Sequence, residues 1–183
     1  MQGASRTHAG KIARTLTAFM LVAASPWALP VHASESVAKL LETSKASTCF
    51  SRAYSAAHLA AHPRQQVAEI YLIPAPNGLN AEAGQLSVML AVKLKGSADY
   101  MPNGMICPPG PATLTCKLED DGGTVTLSVR NSKRLAVEPG PNGIGVEGAS
   151  GMEMIAKADG DDRLFLLDPA PVSVCRRLVK LKW

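Results

Sequence analysis

Four cysteines, Cys49, Cys107, Cys116 and Cys175, constrain this chain more than any other feature. An even count in an exported protein reads as disulfides, and export is what the first residues predict. Arg6, Lys11 and Arg14 precede an apolar run from Leu16 to Leu29, and Val31-His32-Ala33 then offers small residues at the −3 and −1 positions of a cut after Ala33. That is the three-part layout of a secretory signal. The run is interrupted by Ser25, Pro26 and Pro30 and is shorter than the roughly 20 apolar residues a bilayer span needs. Residues 1–33 are therefore expected to be a cleaved signal peptide, and residues 34–183 a single domain long enough to bury a proper core. Of the possible pairings, Cys107–Cys116 and Cys49–Cys175 are favoured. The first pair flanks PPGPATLT, whose prolines and glycine ease a tight reversal, and the second lies near the ends of the mature part. With no C-x-x-C in the chain, both bridges read as structural rather than redox-active.

The hydrophobic pattern after residue 66 has a period of two. LSVMLAVKL puts Leu86, Val88, Leu90, Val92 and Leu94 on one face, and TLTCKL-EDDGG-TVTLSVR aligns Leu114, Cys116 and Leu118 with Val125, Leu127 and Val129 around a glycine turn. These are half-buried strands and a hairpin. Further strands are predicted over 67–73, 99–107, 134–138, 144–147, 152–157, 164–167 and 172–181. PAPNG, MPNGM, EPGPNG, ADGDD and DPAP read as turns. Helical spacing is confined to the front, over 36–45 through Val37, Leu40 and Leu41, and over 56–61, which Pro63 ends. Short strands at regular spacing without strand–helix alternation predict an all-β fold, a small antiparallel β-barrel or sandwich of about eight to nine strands with a short N-terminal helix, stapled by disulfides.

Charge excludes one class of function. The three bases of the signal segment account for most of the formal charge of +4, so the mature part is close to neutral and carries no footprint for nucleic acid. Chemistry is equally unsupported. There is no G-x-S-x-G elbow, no zinc-protease motif and no cysteine left over as a nucleophile, so the chain is expected not to be an enzyme and to need no cofactor. A hydrolase with an unmarked site is the alternative. His58 and His62 in YSAAHLAAHP share a face at i and i+4 and form the one candidate metal clip, for zinc or copper. Their plainer reading is a helical turn whose imidazoles hydrogen-bond neighbouring backbone. Met101, Met105, Met152 and Met154 are soft-ligand candidates that read equally as core fillers, and the acidic runs EDDGG and DGDDR read as hairpin turns rather than calcium loops. The tail RRLVKLKW reads as a last strand with a charged edge, or as a contact for anionic lipid or envelope polymer.

From Cys116 to Cys175 the layout resembles the small exported inhibitors of C-type lysozyme. The shared elements are a Cys on a strand followed by DDGGTVTLSV, the small-residue turn GASG before a further strand, and a Cys near the end. The resemblance implies a disulfide-stapled barrel of the bacterial envelope. It also implies that a Ser-Gly loop, here Ser150 and Gly151, and a lysine loop, here Lys157, enter a partner's cleft and meet its carboxylates. The expectation is thus a periplasmic or secreted binding protein whose partner is a protein in the cell envelope, with inhibition of a cell-wall hydrolase as its specific form and a metal-binding envelope protein using His58 and His62 as the alternative.

Overall fold

The computed structural model describes residues 36–44, 48–74, 84–110, 112–148, 151–157 and 159–179. Residues 1–33, Ser150 and the last four residues lie outside these. In chain order the elements are helix α1 (Val37–Ser44), strand β1 (Thr48–Ala53), helix α2 (Ala56–Ala61), β2 (Val67–Pro74), β3 (Leu86–Leu94), β4 (Tyr100–Cys107), β5 (Thr113–Leu118), β6 (Gly123–Arg130), β7 (Arg134–Gly148), β8 (Gly151–Ile155), β9 (Phe165–Pro171) and helix α3 (Val172–Val179).

The strands form one antiparallel sheet in the order β6-β5-β4-β3-β2-β1-β9-β7, and β7 pairs back onto β6, which closes an eight-stranded barrel with β8 attached to β7 alone. The alternation in the sequence decides which side chains go inside. Val88, Leu90 and Val92 of β3, Leu114, Cys116 and Leu118 of β5, and Val125 and Leu127 of β6 meet Phe50, Ile70, Leu72, Leu135 and Phe165 in one interior cluster. Outward-facing Thr113, Thr115 and Lys117 are exposed. An apolar inside and polar outside is the reverse of a lipid-spanning barrel. Among the described residues no helix is long and apolar enough to cross a membrane.

Helix α1 seals one end. Ser36 starts it by accepting a hydrogen bond from the Lys39 N–H (3.3 Å). Val37, Leu40 and Leu41 are buried in the interior cluster, and the helix touches β2 on one side of the barrel and β5 and β6 on the other. Burial of the three side chains contributes about 1.5–3 kcal/mol each. The opposite end is covered by the second half of β7. Asn103, buried on β4, donates to the Gly145 carbonyl (2.7 Å), the Gly145 N–H donates to Gly122 (2.8 Å), and Ile144 and Val146 join the interior cluster.

Both favoured disulfides form, one on each side of the barrel wall. Cys107–Cys116 lies with the interior residues, whereas Cys49–Cys175 belongs to a second, outer cluster with Tyr71, Ile73, Met89, Ala91 and Leu178. The outer cluster exists because α3 lies over β1, and this corrects the expectation of a last strand over 172–181. The chain turns helical after Pro171, so that Cys175 and Leu178, one turn apart, face the barrel together.

Three predicted turns are also corrected. MPNGM runs through β4, since Asn103 is needed inside and Gly104 pairs with Met89. DPAP lies within β9, whose Pro169 and Pro171 face β1 across the register. EPGPNG does not end a strand: β7 continues through it, but the six residues of β7 from Pro139 to Ile144 oppose the three of β6 from Val125 to Gly123. This bulge bends β7 across the barrel mouth. The EDDGG turn does join β5 to β6. Its Gly122 is required by space rather than by φ, because a Cβ there would sit 2.7 Å from Asn103 Nδ2 and 2.8 Å from Leu118 Cβ.

Candidate functional site

Antiparallel closure brings α2, the β5–β6 turn, the base of the β7–β8 hairpin and the loop 156–164 to the same end of the barrel, opposite α1. Ser55 caps α2 by accepting from the His58 N–H (3.2 Å), and the helix stops at His62, ahead of Pro63. Tyr54, His58 and His62, spaced by four, stack face to face at 4.7 Å and 4.2 Å between ring centroids. The Arg52 guanidinium lies over the Tyr54 ring at 5.4 Å. Burial holds the Tyr54 hydroxyl above its ordinary pKa against the lowering effect of Arg52, and the Asp162 charge adds to the rise.

The two imidazoles are oriented by their partners. His58 Nε2 lies 2.9 Å from Gln65 Oε1, and Gln65 Nε2 donates to the Val67 carbonyl (2.8 Å). His62 Nδ1 lies 2.9 Å from the His58 carbonyl. Both acceptors are oxygens, so these nitrogens carry protons. Rings stacked with an angle of 20° hold their remaining lone pairs side by side in nearly parallel planes rather than converging on one ion. Among the described residues no group of three or more His, Cys, Asp or Glu is placed to hold a metal. The methionines are divided as well: Met105 is fully buried in the barrel, whereas Met152 is 46% exposed on the hairpin, which corrects its reading as a core filler.

Asp162, from the acidic run read as a turn, holds the loop to the barrel. The residue is 2% exposed, and Oδ2 accepts from the N–H groups of Gln66 (2.6 Å) and Val67 (3.3 Å), while Oδ1 has no hydrogen-bond partner among the described residues. Arg64 adds to this clasp through Asp161 (3.2 Å) and the Asp159 carbonyl (3.0 Å), and Gln66 Oε1 accepts from the Ala156 N–H (3.3 Å). Sequence reasoning missed Arg64, Gln66 and Asp162, because their partners lie about a hundred residues away in the chain. The one available signal was a carboxylate next to an apolar strand.

An open groove of about 500 Å³ lies beside this clasp, lined by Arg64, Lys95, Lys157, Met154, Asp159 and neighbouring backbone. Lys95 donates to the Pro63 carbonyl (3.0 Å). Lys157, exposed, makes no ion pair among the described residues. Of the residues the resemblance singled out, Lys157 thus lies in the groove, at the base of the β7–β8 hairpin. Gly151 sits at the hairpin tip with φ +107°, and Ser150 lies outside the described residues. Five-residue β8 separates tip from base by about 16 Å at ~3.3 Å per residue, so Gly151 and Lys157 do not converge on one point.

On the outer wall a second polar cluster opposes Asp162 in its pH behaviour. Glu69 accepts hydrogen bonds from Tyr71 and Tyr100 and lies 3.5 Å from Lys93 Nζ. Burial would raise its pKa, but the two phenols and Lys93 outweigh it and hold the carboxyl below its usual range. Burial raises the Asp162 pKa, incompletely offset by the Gln66 and Val67 N–H groups. The native state therefore binds the Asp162 proton more tightly than the unfolded chain and the Glu69 proton less tightly. Glu69 stabilises the fold above its unfolded value, and that contribution is lost as pH falls through the native one. Asp162 costs stability as pH rises from its unfolded value of 3.8 through the native one. Unfolding in urea between about pH 3 and pH 7 should show Glu69→Gln flattening the loss of stability on acidification and Asp162→Asn steepening it. The same pH slope for both variants and the parent contradicts the assignment.

No protein-family model matches the chain, and no curated protein and no solved structure is significantly similar to it.

Proposed function

We propose that this is an exported, periplasmic binding protein that acts on a cell-wall hydrolase, in the manner of the C-type lysozyme inhibitors that residues 116–175 resemble. The observation that carries the reading is the position of Lys157, an exposed ammonium in a groove whose lining has three cationic residues, Lys157, Lys95 and Arg64, against one acidic residue, Asp159. A groove with this charge suits the carboxylates of a glycosidase cleft, since such enzymes work with paired acids. The wall around it is rigid: the barrel is closed, its interior is filled by apolar side chains, and the disulfides tie β4 to β5 and α3 to β1. Docking therefore orders few side chains and little backbone. The glycine hairpin tip at Gly148 and Gly151 would contact the partner at a second point, away from Lys157.

Titration of the purified, oxidised protein into C-type lysozyme, with bacterial lysis followed, tests this reading. Inhibition close to one-to-one is expected, and Lys157→Glu should weaken it by about tenfold or more, since a like charge opposed to a carboxylate costs over 1 kcal/mol. Unimpaired lysis at a large excess, or equal inhibition by the variant, contradicts the proposal.

A further inference from the structure

β8 joins the sheet through β7 alone, so one of its edges has no neighbouring strand. The hydrogen bonds of Gly145 settle which β8 groups lie on that edge. Its N–H donates to the Gly122 carbonyl (2.8 Å) and its carbonyl accepts from Asn103 Nδ2 (2.7 Å), so Gly145 bonds on the side away from β8. In an antiparallel ladder, directly opposed residues exchange both bonds or neither. Met154, opposite Gly145, and Met152, two residues before it, therefore turn their N–H and C=O groups outward. None of these four groups has a hydrogen-bond partner among the described residues.

The edge is accessible. Gly151, Met152 and Glu153 are exposed, and Met154 is half-buried beside the Lys157 groove. The missing side chain at Gly145 lets both methionines lie back over the hairpin, since a Cβ there would sit 2.9 Å from Met152 Sδ and 3.3 Å from Met154 Sδ. Unbranched thioethers adapt to apolar residues of different shape. Charge decides between occupants. A second copy, in the register that uses all four groups, would set Met152 of one chain opposite Met154 of the other and the two Glu153 side chains opposite each other. Like charges directly opposed are destabilising. At the far end of β8 the chain turns at Ala156 (φ 52°) and places Lys157 in its groove with Lys95 and Arg64. The edge thus runs from one carboxylate to a cationic end.

We propose that an extended peptide segment of another protein adds to β8 as an antiparallel strand. Its apolar residues lie opposite Met154 and Met152, a basic residue between them lies opposite Glu153, and acidic residues on its N-terminal side reach Lys157 and Lys95. Backbone bonds supply the affinity of such an addition, and alternate side chains supply its specificity. The proposal shares Lys157 with the hydrolase reading but does not rest on it, because the ligand is an extended segment rather than the cleft of a folded enzyme.

The test is an NMR titration of the oxidised protein with the peptide Glu-Glu-Val-Lys-Val-Thr, blocked at both ends and read at the protein's backbone amides. Four backbone bonds predict saturable shifts at about 1 mM peptide. Strand addition also has a signature of its own. Hydrogen exchange should slow at Met152 and Met154 and stay unchanged at Glu153, whose N–H already faces β7. N-methylation of both valines should weaken binding by about tenfold or more, because it removes the donors to β8. Glu153→Lys should weaken it by about fivefold, and a glutamate in place of the peptide's lysine should restore it. No saturable shift at several millimolar peptide overturns the proposal, as do undiminished binding of the N-methylated peptide and parent-like binding by Glu153→Lys. Exchange at Met152 and Met154 that slows with protein concentration alone also overturns it, since that marks a second copy on the edge. Peptide binding by a protein that leaves lysozyme active removes the hydrolase reading alone, and inhibition without peptide binding removes this proposal alone.

Discussion

Replacing Cys49 and Cys175 together by alanine lowers the free energy of unfolding by about 5 kcal/mol, against about 3 kcal/mol for the Cys107–Cys116 pair. The loop-entropy model sets the order, because the first bridge spans 126 positions of sequence and the second spans 9. The structure adds a consequence that length alone does not give. Cys175 is the covalent anchor of α3, and α3 covers the outer cluster of Tyr71, Ile73, Met89 and Leu178. Its release should expose apolar wall and produce dye binding before global unfolding, whereas loss of the inner bridge should not. Chemical denaturation of the two double variants checks the ranking, and equal losses, or a larger loss for Cys107–Cys116, contradict it.

Asp162→Ala should cost about 3 kcal/mol, the largest effect expected of any single charged residue here. The substitution strands the Gln66 and Val67 N–H groups at the start of β2, and each buried donor left without a partner costs about 1–3 kcal/mol. Asparagine retains an acceptor and should cost about 1 kcal/mol. Urea unfolding of the two variants gives the comparison. Alanine and asparagine losing the same amount would mean that the charge, not the pair of hydrogen bonds, holds the loop 156–164 to the barrel.

The wall of the barrel was legible because burial on one face imposes a period of two on each strand. Leu86 to Leu94, Leu114 to Leu118 and Val125 to Val129 carry that alternation cleanly, and all face inward. The disulfide pairing followed from position, and α1 and α2 followed from spacing and from Pro63. The misread segments are those where tertiary demands override local preference. Pro102, Gly104 and Pro169 sit in strands because a neighbouring strand and the barrel interior fix their places. VSVCRRLV fits either period over so short a run, and the joint burial of Cys175 and Leu178 in the outer cluster is met by the helix. The site was less legible than the wall. His58 and His62 were visible as a pair, and their backbone-bonded reading agrees with the bond of His62 to the His58 carbonyl. By contrast, the clasp of Arg64, Asp161 and Asp162, and the company of Lys157 in the groove, depend on contacts across 60 to 100 positions of chain that no local pattern carries.

Hydrogen exchange of the oxidised protein, alone and with equimolar C-type lysozyme, tests most directly whether function resides at the α2 end of the barrel. Slowed exchange confined to residues 63–66, the turn at Lys95, the Gly148–Gly151 hairpin tip and the segment at Lys157 is the predicted result. Protection on α3 and the outer wall, or exchange unchanged by the partner, would contradict it.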